Sequence, residues 1–289
     1  MVNDSLLSGS VPRQFKAAVV THLVKKKTGL DGKNLKKYLK NHLPVSSLPF
    51  LSKVLEKVVL HQLRSHLLAN NLSETFQSVY CAHHSMETAL LDVMNCLLGS
   101  ADERQVSILT LLNLSAAFDT LDHSILLTRL HDMFGISGKA FEWFSSYLSD
   151  RFQSVSINSQ VSSQKKLHYR VLQGSVLGPK LFTLYTQPLS DIISQRKCNH
   201  HIFADDTQLH KSSAPSDFHS LIHDIEQWVD SVGSWITCNR LKLNNDKTEA
   251  LVVGSRRRVS VSQDSHLIFL SKAMSKASGF TLTLPCKAY

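Results

Sequence analysis

Phe203-Ala204-Asp205-Asp206-Thr207-Gln208-Leu209 sets two adjacent carboxylates between short apolar stretches. Adjacent anions repel, and holding both in a partly buried place costs stability. In an extended strand neighbouring side chains point to opposite faces, so both acids can serve one site only near a turn. The segment therefore predicts a hairpin tip whose hard oxygen ligands suit a magnesium site. Taken alone it reads better as a solvated acidic turn, the commoner fate of an Asp-Asp pair.

Three further segments surround it. Upstream, Leu111-Leu-Asn-Leu-Ser-Ala-Ala-Phe-Asp119 overlaps the end of an apolar run, Val106–Leu112, of strand length. Between the two lies Leu172-Gln-Gly-Ser-Val-Leu-Gly-Pro179, a glycine-containing loop opening a helix, where a backbone can approach a nucleotide closely. Downstream, Leu241-Lys-Leu-Asn-Asn-Asp-Lys-Thr-Glu249 precedes the strand Ala250–Val253.

The rest of the chain alternates helices and strands without a regular βαβ order. Leu51–Leu68 repeats apolar residues at helical spacing, and Ser85–Leu98 reads as a second helix capped by Ser85. Helices are also predicted over Ser124–Met133, Gly138–Ser149, Pro179–Ser194 and Asp217–Trp235, and a half-buried strand over Phe152–Asn158. This pattern is α+β. The first 45 residues are rich in lysine and read as solvated surface, and Val259–Tyr289 as an irregular tail.

Composition sets the outer limits. With 289 residues and 43% apolar content the chain can bury a core and is not wholly disordered. Its net charge of +9 favours a polyanionic partner. Cys81, Cys96, Cys198, Cys238 and Cys286 form no C-x-x-C pair, which argues against a structural zinc site or a disulfide framework. The expectation is an intracellular protein, of nucleus or cytoplasm, without membrane association.

In order and spacing, the four segments resemble the palm motifs of reverse transcriptases of the non-LTR (LINE-like) retrotransposon class. Leu48–Glu56, Phe76–Tyr80 and His84–Leu90 resemble that family's finger segments. The resemblance implies the fingers (roughly residues 1–100) and palm (roughly 101–258) of a right-hand polymerase, a small antiparallel sheet packed against helices, with residues 259–289 as the tail. It implies an RNA-directed DNA polymerase that adds dNTPs to a DNA primer on an RNA template by phosphoryl transfer with Mg²⁺, or Mn²⁺ in its place. Asp205 and Asp206 match the hairpin pair of metal ligands. Phe118 matches the aromatic gate that crowds a 2′-hydroxyl, and Gln173 and Gly174 match the loop that lines the incoming nucleotide. Lys247 matches a lysine near the leaving phosphate. Read without the family, Phe118 is a core phenylalanine and Lys247 a surface lysine.

Departures from the family pattern are specific. Asn113 stands where the family carries the third metal-binding aspartate, and Asp119 lies six residues on, past the expected strand end. Losing an anionic ligand weakens metal binding and raises the barrier to phosphoryl transfer. His42-Leu43-Pro44 and Tyr80-Cys81 replace stretches in which relatives carry arginines, and Leu172 replaces a proline. No thumb follows Arg258 and no endonuclease precedes the chain, so the expectation is a truncated copy with impaired activity. The alternative is a catalytically inactive remnant that at most binds nucleic acid through its lysines. His200 and His201, adjacent in an expected strand, should place one ring inside and one outside, and Trp228 and Trp235 share one helical face as core residues.

Overall fold

The computed structural model describes residues 1–24, 42–72, 85–157, 160–172, 174–195, 199–255 and 282–284. In chain order the helices are α1 (Val2–Ser8), α2 (Phe50–Ala69), α3 (Met86–Asp102), α4 (His123–Asp132), α5 (Gly138–Leu148), α6 (Gly178–Ser194) and α7 (Phe218–Cys238). The strands are β1 (Ala17–Val24), β2 (His42–Ser47), β3 (Val106–Asn113), β4 (Arg151–Ile157), β5 (Gln160–Val161), β6 (Lys165–Leu167), β7 (Asn199–Phe203), β8 (Asp206–Ser213), β9 (Glu249–Ser255) and β10 (Leu282–Leu284). The chain divides into two compact units, one of residues 1–73 and 118–185, the other of 74–117 and 186–289.

In the first unit the sheet runs β2-β1-β4-β5, with β6 also on β4. Strand β1 is antiparallel to β2 and parallel to β4. The apolar stripe predicted from Leu51 onward forms α2, which buries Leu55, Val59, Leu63 and Leu67. Leu126 and Leu130 of α4 and Trp143, Phe144, Tyr147 and Leu148 of α5 are buried as well. Each such aliphatic or Phe side chain removed from water contributes about 1.5–3 kcal/mol. Asp122 caps α4 by accepting from the backbone N–H groups of Ser124 and Ile125 at 2.9 and 3.1 Å.

The second unit holds the sheet β10-β9-β3-β8-β7. Val106 and Ile108 of β3 are fully buried, as expected of a central strand flanked by β8 and β9, both antiparallel to it. Val93 and Leu97 of α3 pack with Val253 of β9, and Leu109 of β3 lies against that cluster. Helix α3 starts as expected at Ser85, whose hydroxyl accepts the Thr88 N–H at 3.2 Å while Thr88 Oγ1 accepts the Ser85 N–H at 2.9 Å. Along α7, Phe218, Leu221, Ile225, Trp228, Val232 and Ile236 are buried at helical spacing. Trp228 is thus core, as expected, and Trp235 is half-buried.

The α+β expectation agrees with this architecture, and three local readings differ. Residues 1–47 are not surface alone: they supply α1, β1 and β2. Strand β1 takes its parallel partner from β4, more than a hundred residues away, so no local pattern betrays it. Leu282–Leu284, inside the expected irregular tail, pairs parallel with β9. His200 and His201 are both buried, because β7 is covered on both faces; His200 Nε2 lies 2.7 Å from Ser190 Oγ of α6. Lys25–Lys27, Lys33, Lys36, Lys37, Lys40, Phe76–Tyr80 and Cys81 lie outside the described residues. Among those described, no helix is long and apolar enough to cross a membrane.

Candidate active site

Strands β7 and β8 form a hairpin in which Phe203 pairs with Asp206 across the turn residues Ala204 and Asp205. Ala204 has φ +58° and Asp205 does not share that sign, the pattern of a II′ turn, whose twist suits a two-residue hairpin. The turn resolves the difficulty posed by adjacent acids: Asp205 occupies the turn and is half-buried, while Asp206 opens β8 and is exposed.

Strand β3 ends beside them. Asn113 is directly opposite Asp206 in the β3–β8 ladder, and its side-chain amide donates to Asp206 Oδ1. The Leu114 N–H donates to the Asp205 carbonyl at 3.3 Å. From the other side, the loop before β9 holds the same strand end. Asn244 N–H donates to the Asn113 carbonyl at 2.8 Å, and Asn244 Nδ2 to Asn113 Oδ1 at 3.4 Å. Ser115 N–H donates to the Lys242 carbonyl at 2.7 Å, and Leu114 and Leu243 form a β-bridge.

Burial pushes the Asp205 carboxyl above the ordinary carboxylate range; its own backbone N–H opposes this, the Asp206 charge adds to it, and Lys247 pulls it back. Lys247 is exposed at its place in the loop, with its N–H donating to the Asn244 carbonyl at 3.0 Å. The second unit therefore brings together Asn113, Asp205, Asp206 and Lys247. Among the described residues, no three or more His, Cys, Asp or Glu side chains converge as a metal cluster. The donor set here is two carboxylates and one amide. In kind it fits a hard divalent cation, and it is one negative charge short of three carboxylates.

The nucleotide-lining candidates that are described lie in the first unit. Phe118 is half-buried, its ring 4.9 Å from that of Phe182 on α6. Its carbonyl accepts the Val171 N–H at 3.0 Å, tying it to the start of the loop that leads to Gly174. Gly174 has φ +107°, and a Cβ there would meet the Ser46 carbonyl oxygen at 2.5 Å, so only glycine fits. Gln173 lies outside the described residues. Asp119 is paired with Arg170 at 2.7 Å, and Arg170 also donates to Gln153 Oε1 at 2.9 Å. His123 Nε2 lies 2.9 Å from the Arg170 carbonyl.

Two residues stand out that motif reading did not single out. Asn244 grips Asn113 by backbone and side chain; its signal was an asparagine inside a quoted motif, without a stated partner. Glu56 is 1% exposed yet polar, and its signal was a lone acid within the apolar stripe of α2.

Comparisons with known proteins bear on the family and the fold. The family model described as reverse transcriptase (RNA-dependent DNA polymerase) matches residues 24–276. The RNA-directed DNA polymerase from mobile element jockey of Drosophila melanogaster is 24% identical over 260 residues, covering 88% of this chain and 27% of that protein. Its counterpart in Drosophila funebris is 29% identical over 146 residues, covering 50% of this chain and 16% of that one. The chain spans about a quarter of the length of the first of these curated relatives. A solved structure of apo telomerase from Candida tropicalis, truncated from its C-terminal domain, superposes with a TM-score of 0.57 at 13% identity, over 84% of this chain and 51% of that one, a likeness of fold. With the family model spanning residues 24–276 of 289, this chain belongs to the reverse transcriptase (RNA-dependent DNA polymerase) family.

Proposed function

We propose that this chain is the RNA-directed DNA polymerase domain of a non-LTR mobile element, adding dNTPs to a DNA primer on an RNA template, and that its rate is depressed by Asn113. The observation that carries this reading is the placement of Asp205 and Asp206 at a hairpin turn directly beside the end of β3, where Asn113 stands. Asp205 and Asp206 would hold Mg²⁺, which when bound supplies charge neutralisation at the transferring phosphoryl group. Asp205 is set back by burial, Asp206 faces solvent, and Asn113 offers a neutral oxygen already engaged by Asn244. Lys247, exposed near Asp205, is the cation for a departing pyrophosphate. Phe118, fixed by its carbonyl and by Phe182, is the side chain that would crowd a ribose 2′-hydroxyl.

The test is primer extension on an RNA template with dNTPs and Mg²⁺, comparing the native chain with Asp205→Asn and Asp206→Asn. Residual incorporation by the native chain that disappears in both variants supports the reading. Incorporation that survives both refutes it.

A second reading is favoured by the hydrogen bond from Asn113 to Asp206. That contact satisfies a carboxylate without any cation, as expected of a binding-only remnant. Such a protein would bind RNA–DNA with affinity that falls with salt and does not change when divalent metal is chelated.

A further inference from the structure

The glycine-containing loop at 172–179 opens helix α6, and a free helix N-terminus would be a ready site for phosphate. Here that end is already filled. Glu56 of α2 turns its carboxylate inward, where Oε2 accepts the Val176 N–H at 2.6 Å, the Leu177 N–H at 3.1 Å and the Ser175 hydroxyl at 2.8 Å. Its other oxygen takes the Ser52 hydroxyl at 3.3 Å. Ser175 Oγ accepts the Gly178 N–H at 2.9 Å and lies 2.8 Å from the Tyr147 hydroxyl. Burial pushes the Tyr147 phenol well above its ordinary range, so it stays a neutral hydrogen-bonding partner. On the opposite flank Gly174 passes so close to the Ser46 carbonyl that no Cβ fits.

We propose that Glu56 is the positioning residue of this loop: its carboxylate closes the N-terminus of α6 against phosphate and holds Gly174, to which the polymerase reading assigns nucleotide lining, in one fixed conformation. This rests on the polymerase reading and deepens it. Three donors converge on one carboxylate oxygen, and removal of that acceptor leaves the Val176 and Leu177 amides unsatisfied there, while the Ser175 hydroxyl keeps Tyr147 as a partner. The loop then keeps its tie from Val171 to the Phe118 carbonyl and its close approach to Ser46, and loses the one at Val176 and Leu177. Glutamine in place of Glu56 can present its carbonyl to the same donors but without the charge, so it restores part of the constraint.

The experiment uses the full chain as native protein, Glu56→Gln and Glu56→Ala. Two readouts are needed: amide hydrogen exchange along α2 and residues 172–182, and affinity for a fluorescent dNTP with Mg²⁺ and template-primer present. In Glu56→Ala, exchange at Val176 and Leu177 rises and dNTP affinity falls, each by about tenfold or more, while template-primer affinity holds. Glu56→Gln falls between alanine and native on both readouts, and it carries the test alone if Glu56→Ala does not fold. A uniform rise in exchange across the unit, or dNTP affinity unchanged in both variants while the native chain binds, overturns the proposal. If the native chain binds no dNTP, the polymerase reading fails and takes this proposal with it, an outcome distinguishable from the other two.

Discussion

The side-chain amide of Asn113 donates to the carboxylate of Asp206 across the directly opposed positions of β3 and β8. An aspartate at 113 would instead face Asp206 with like charge, an arrangement that needs a cation between the two. The asparagine that satisfies Asp206 without metal therefore also leaves the site one negative charge short of three carboxylates.

Asn113→Asp should accordingly destabilise the protein without divalent metal and make it more responsive to metal. Asp206 is exposed, so solvent screens the pair and the loss is about 1 kcal/mol, a few degrees in Tm. Thermal unfolding in EDTA and then in Mg²⁺ checks this: Mg²⁺ should raise the variant's Tm more than that of the native chain. An equal response in both would show that position 113 does not touch the metal.

Gly174→Ala should cost about 1–3 kcal/mol, since alanine is strained at φ +107° and its Cβ would meet the Ser46 carbonyl oxygen at 2.5 Å. Denaturant unfolding reads the loss. A neutral substitution would mean that the loop can leave Ser46 at little cost.

What the sequence disclosed, and what it hid, follows from the range of the interactions. The stripe of α2 and the alternation that makes β4 are written within a dozen residues. The hairpin at Ala204–Asp205 was legible because adjacent acids fit one site only at a turn. Strands β1 and β2 were not, since lysines around them dominate the composition and the parallel partner of β1 is β4, far along the chain. The burial of both His200 and His201 depends on covering elements from elsewhere in the fold. Glu56 looked like one polar position of an amphipathic helix; only the arrival of Ser175, Val176 and Leu177 shows what it holds.

His210 gives the pH dependence a definite sign. Burial lowers its pKa from the ordinary 6.5, and the neighbouring His200 and His201 lower it further. The unfolded chain therefore binds a proton that the folded chain refuses. Stability is full above about pH 6.5 and falls as pH drops through that value toward the depressed folded pKa. His210→Gln should flatten unfolding free energy measured between pH 7 and pH 5. Parallel curves for native and variant would remove His210 from this role.

The Asp119–Arg170 pair, at 2.7 Å, joins the segment after Phe118 to the residue before Val171. Asp119 is 47% exposed, so screening limits the pair to about 0.5–1 kcal/mol. A double-mutant cycle with Asp119→Ala and Arg170→Ala should return a coupling of that size, smaller in high salt. A coupling near zero in low salt would mean that the contact does not brace the loop.

The most direct measurement is single-turnover primer extension on an RNA template with dNTPs and Mg²⁺, native chain against Asn113→Asp. The native chain should extend slowly or not at all, with a gain of about a hundredfold or more when the carboxylate is restored, the scale expected of a charged group at a phosphoryl-transfer site. Equal rates in the two proteins, or silence in both when each binds template-primer and dNTP, would contradict this expectation.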